Sequence, residues 1–147
     1  MADIGSMGDI IFTVSSRMTR TISDFNRMGD PRIATHEIIG KKPIIEYVGP
    51  GNEECSFTIL LSKNLGINPI KDLNRLRDMR DNGEVFNVFL GGRPLSQNQW
   101  ILKSMSESVN FFDRKGEIQS VQISVTILEY PKHIIAIGGV NGSDPNI

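Results

Sequence analysis

The apolar and polar positions along this chain follow, for most of its length, the two-residue period of strands. In "DIIFTVS", Asp9 to Ser15, Ile10, Phe12 and Val14 alternate with Ile11 and Thr13, which predicts a strand covered on one side and partly on the other. Met18 to Met28 is polar with Ile22 and Phe25 interspersed. "MGDP" then marks a turn before "RIATHEII", Arg32 to Ile39, and the two segments read as a hairpin. "KPIIEYV", Lys42 to Val48, and "ECSFTILLS", Glu54 to Ser62, are the next two strands, with Phe57, Ile59 and Leu61 on one face of the second. "EVFNVFL", Glu84 to Leu90, leads into "GGRP", and Gln99 to Phe112 holds Trp100, Leu102 and Met105, then Val109 and Phe111.

"EIQSVQISVTILEY", Glu117 to Tyr130, is the most regular strand. Val121, Ile123, Val125 and Ile127 line one side, and Gln122, Ser124 and Thr126 line the other. That polar side carries no charge over its middle. A strand facing bulk water normally recruits lysine or glutamate against edge-to-edge aggregation, so a Gln/Ser/Thr face is either an ordinary solvated surface or one that meets another subunit or a narrow lumen.

One segment has helical spacing. In "NPIKDLNRLRDMRDNG" Asn68 is a good N-cap, Pro69 fits the first helical position, and Asn82 or Gly83 closes the C-terminus. Ile70, Leu73, Leu76 and Met79 form a narrow apolar stripe, while Arg75, Arg77 and Arg80 share the other faces with Lys71, Asp72, Asp78 and Asp81. Mixed signs at this spacing suit a solvated face with weak internal ion pairs, and the alternative is a charged docking surface. The fold class expected is α+β: a mostly antiparallel β sandwich or barrel-like sheet with one main α-helix.

The glycines at "YVGPGNEE" raise the question of a ligand loop. A phosphate-binding loop needs a strand before it and a helix after it, so that amides and a helix N-terminus point at the anion. Here a strand follows, so Gly49, Pro50, Gly51 and Asn52 read as a turn.

Composition adds mainly exclusions. A chain of 147 residues is one domain with a real core. Lysine and arginine (16) nearly balance aspartate and glutamate (17), so no global field draws it to nucleic acid or an anionic membrane. Local basic clusters at Lys41 and Lys42, and at Arg75, Arg77 and Arg80, have no interleaved aromatics for stacking bases. No apolar run reaches the roughly 18 to 20 residues that cross a bilayer. Met1–Ser6 precede a second methionine and end in the Gly-Ser pair that a cloning junction often leaves; native or not, they are set aside as a leader. Residues 7–130 are then the domain, and 131–147 a C-terminal extension expected to be mobile unless Ile134, Ile135 and Ile137 dock on a neighbour.

Candidate chemistry is sparse. Cys55 is the only cysteine and suits a buried small residue in a strand. His36 and His133 lie far apart, and Glu53 and Glu54, adjacent on a strand, point to opposite faces and share no proton. No hydrolase elbow, zinc-protease pair or calcium loop occurs, so no catalytic, cofactor or metal residue is assigned and the chain is expected to work by binding.

The order of features nevertheless resembles a known family. The start "MGDIIFTV", the run "EYVGPGNEECSFTILL", the helix "LNRLRDMRDNGEVF" and the closing "WILKSMSESVNFFDRKGEIQSVQISVTILEY" together resemble the GpU family of phage tail proteins, over Met7 to Tyr130. The resemblance implies a tail-tube-like fold and a non-enzymatic component of a contractile tail or phage-derived bacteriocin, assembled in the host cytoplasm. It places the protein at the tip end of the tube, where the tube is nucleated. Its alternatives are a head-proximal terminator or a tail-associated lytic or adaptor enzyme. Expected partners are further copies of the chain in a ring, hexameric or else trimeric, with the tail tube protein, baseplate hub and tape measure protein. Interface candidates are Gly49, Pro50, Gly51 and Asn52, projecting to the next ring; Arg75, Arg77 and Arg80; and Gln122, Ser124 and Thr126. The central sheet is expected from the strands Glu117–Tyr130 and Glu54–Ser62, with the helix over one face or opening.

Overall fold

The computed structural model describes residues 2–14 and 18–131. Its strands are β1 (Ala2–Met7), β2 (Ile10–Val14), β3 (Thr19–Met28), β4 (Arg32–Ile38), β5 (Lys41–Gly49), β6 (Glu54–Ser62), β7 (Val85–Phe86), β8 (Val88–Leu90), β9 (Arg93–Pro94), β10 (Gln99–Phe112) and β11 (Ile118–Tyr130). One α-helix, α1 (Pro69–Asp81), lies between β6 and β7 after a short 3-10 turn at Lys63–Leu65. Nine strands form one antiparallel sheet in the order β7-β10-β11-β6-β3-β2-β1-β8-β9, and β4 and β5 form a separate two-stranded hairpin. The α+β class holds, with β11 and β6 paired at the centre along Ser120–Leu128 and Glu54–Ser62.

The core follows from the alternation. Cys55, Phe57, Ile59 and Leu61 of β6 and Val121, Ile123, Val125 and Ile127 of β11 are all buried on one face. The sheet folds over this face, so that Phe12 of β2 meets Phe57 edge to face at 6.2 Å. α1 packs on the same side with Leu73, Leu76 and Met79 buried. Its N-cap is Asn68, whose side chain accepts from the Lys71 amide at 3.3 Å, and Pro69 opens the first turn. The apolar stripe is shorter than its spacing predicted: Ile70 is exposed and Pro69 is buried in its place.

Three sequence expectations need correction. Met18–Met28 and Arg32–Ile39 are not a hairpin. β3 pairs with β2 and β6, and β4 pairs with β5 around a turn at Ile39 and Gly40, with Ile38 opposite Lys41. Gly49–Asn52, read as a turn, does not bring β5 back onto β6, because the two pair with different strands; Pro50–Glu53 links the hairpin back to the sheet. The leader set aside from the fold contributes β1, which lies between β2 and β8 with Met7 fully buried. Gly5, read as part of a junction, is where a Cβ would stand 2.1 Å from the Phe89 carbonyl oxygen, so close strand packing requires glycine there. His133, Ile134, Ile135 and Ile137 lie outside the described residues.

Candidate assembly surfaces

Because β3, β6, β11 and β10 bury one face, their opposite face is fixed by the same registers. It presents three rows of four residues: Thr21, Leu60, Gln122 and Ser108; Ser23, Thr58, Ser124 and Ser106; Asn26, Ser56, Thr126 and Ser104. Among these side chains Leu60 alone is apolar and none is charged. Gln122 and Ser124 are exposed, and Thr126 is half-buried. At the border Lys103 Nζ donates to Glu54 Oε1 at 2.6 Å.

Both strands that bound this face have free edges. β7 covers β10 only at Trp100 and Ile101, which leaves Leu102–Phe112 without a strand partner on that side among the described residues. β2 covers β3 only at Thr19 and Arg20, which leaves Thr21–Met28 similarly free. An unpaired row of N–H and C=O groups is a template for another strand.

The hairpin β4–β5 is the second surface. Ile33 lies opposite Tyr47 and Thr35 opposite Ile45, so these share one face. Ile33, Ile45 and Tyr47 are 54%, 55% and 66% exposed. On the other face His36 Nε2 lies 2.9 Å from Glu46 Oε1. The hairpin's root is pinned. Arg32 Nε donates to the Pro50 carbonyl at 3.2 Å, the Glu53 amide donates to Glu129 Oε1 at 3.0 Å, and the Glu129 amide donates to the Glu53 carbonyl at 2.8 Å. Burial raises the Glu129 carboxyl, but hydrogen bonds from Asn98 and the Glu53 amide outweigh it and hold the group below the usual carboxylate range. A cleft of about 730 Å³ opens here, lined by Arg32, Pro50, Gly51, Asn98, Glu129 and Pro131 among others. Gly49, Pro50, Gly51 and Asn52 therefore stand at the root, and the hairpin they anchor is what projects.

The helix arginines are committed to carboxylates of their own chain. Arg75 bonds Asp9 at 3.0 Å and both oxygens of Glu84, and Arg77 makes a two-pronged contact with Glu107 at 2.8 and 2.6 Å. Arg80 bonds Asp81 at 2.8 Å. The bonds from Arg75 and Arg77 hold the Glu84 and Glu107 carboxyls below their ordinary values. Glu107 is on the core-facing side of β10, opposite Ile123, so Arg77 neutralises a charge at the margin of the core. Sequence reasoning missed the hairpin's apolar face; the available signal was adjacent Ile44 and Ile45, which give "KPIIEYV" apolar residues on both faces.

The described residues hold no cluster of three or more His, Cys, Asp or Glu side chains arranged for a metal, and no helix among them is long and apolar enough to cross a membrane. The Phage P2 GpU family model matches residues 8–132. The chain belongs to the Phage P2 GpU family. Comparison with curated proteins returns no match. As a GpU protein the chain is a phage tail-related structural protein. The GpU match runs from Gly8, just after β1, to just past β11 and contains both free edges and the whole hairpin.

Proposed function

We propose that this GpU protein forms a ring that initiates or completes the tail tube of a contractile phage tail or tail-like particle, near the baseplate hub. The observation that carries the reading is the pair of free edges on one sheet. Three antiparallel pairings separate β10 from β3, so the two edge strands run in opposite directions. When copies are related by rotation, β10 of one meets β3 of the next as an antiparallel pair at every joint. A head-to-tail contact of this kind closes into a ring when the rotation allows.

The uncharged rows around Ser124 favour an inward position, because like charges repeated about an axis repel and hydroxyls do not. A hexamer is the proposed copy number, with a trimer where the ring meets a hub. Tail tube protein, hub and tape measure protein are the proposed neighbours, with assembly in the host cytoplasm and residence in the virion tail.

The test is the mass of the full chain by light scattering across concentration, with Ser124→Glu beside the wild type. A discrete ring that Ser124→Glu weakens, and that added salt partly restores, supports the reading. A wild type that stays monomeric at its highest soluble concentration, or a ring indifferent to Ser124→Glu, contradicts self-closure about this face.

A further inference from the structure

We infer that the β4–β5 hairpin is an arm whose apolar face is covered by a second copy of this chain, the copy beside its own β3 edge. An isolated two-stranded hairpin is marginal in water, and among the described residues this one pairs with no strand of the main sheet. Ile33, Ile45 and Tyr47 are 54% to 66% exposed on one face of it, and Ile44, on the other face, is 58% exposed. Large apolar side chains exposed side by side on one face mark an interaction surface.

Continuity names the occupant. The arm starts at Arg32, with three residues between it and the end of β3 at Met28, and returns to β6, the strand next to β3. The arm thus leaves from the end of an edge strand, and in the ring reading, on which this inference rests, the molecule seated along that edge is a second copy. The pinned root fixes the direction in which the arm is presented: Gly51 passes so close to the chain at the arm's base that a Cβ would stand 2.1 Å from the Asp30 carbonyl oxygen.

The experiment mixes unlabelled and nitrogen-15 full-length chains carrying the photo-crosslinker substitution Tyr47→benzoylphenylalanine, irradiates them at ring-forming concentration and reads the joined peptides by mass spectrometry. The expected result is light–heavy crosslinks in proportion to mixing, together with a ring that Tyr47→Glu weakens while the thermal midpoint of the monomer is kept. A ring whose crosslinks from position 47 all stay within one chain, including any to residues 132–147, overturns the arm contact and leaves the ring reading standing. So does a ring unchanged by Tyr47→Glu. Absence of any ring removes both.

Discussion

Replacing Gly51 with alanine puts the smallest side chain where the two roots of the arm cross. The new Cβ would lie 2.1 Å from the Asp30 carbonyl oxygen and 3.3 Å from its carbon, against about 3.4 Å for ordinary contact, so the backbones must separate by about 1.3 Å. The obstacle is main chain, which has no rotamer to turn away. The Glu53–Glu129 hydrogen bonds two residues further on resist the shift. Overpacking of this kind costs about 1 to 3 kcal/mol. For a chain of this length each kcal/mol lowers the melting midpoint by about 2 to 4 °C, so Gly51→Ala is expected to melt ~2 to 12 °C lower. Circular dichroism gives the midpoint, and hydrogen exchange is expected to show faster exchange at residues 29–31 and 50–53. A variant with the wild-type midpoint and unchanged exchange at those amides would refute the close-approach argument.

Acid should destabilise the fold. Glu84, Glu107, Asp113 and Glu129 have folded-state carboxyls below their unfolded values, so the unfolded chain binds more protons as pH falls. Their contribution is full above the ordinary carboxylate range, about pH 4.3, and is lost as pH falls through the lower folded values; a midpoint flat from pH 6 to pH 3 would be inconsistent with this. Burial pushes the Cys55 thiol up to about 11, so it should resist alkylation at neutral pH until denaturant is added, and labelling of the native chain at the free-thiol rate would contradict its placement. Asn68→Ala removes the helix cap and should cost about 1 kcal/mol, read as a midpoint lower by ~2 to 4 °C; no change would mean the cap is dispensable.

Much of the sheet was legible because β6 and β11 alternate cleanly, and α1 was legible because its cap, proline and apolar spacing agree. Pairing was less so. Nothing in the period of β3 or β4 says which strand lies beside it, and the exposed arm has the apolar content of a core strand, since periodicity records hydrophobicity and not what covers it. β1 was lost because its Gly-Ser pair looks like a junction, while strand packing needs the glycine. The uncharged side of β11 was readable from Gln122, Ser124 and Thr126, but its extension over four strands needed the registers. The arginines at 75 and 77 illustrate the reverse: a charged face whose carboxylate partners at Asp9 and Glu107 are remote in sequence.

The central claim is that β10 of one copy pairs with β3 of the next, and amide hydrogen exchange of those two edges as a function of assembly tests it most directly. The expected result is that amides within Leu102–Phe112 and Thr21–Met28 gain protection together as the ring forms, in the alternating pattern of an antiparallel ladder. A ring that forms while both edges keep exchanging as in the monomer would contradict it.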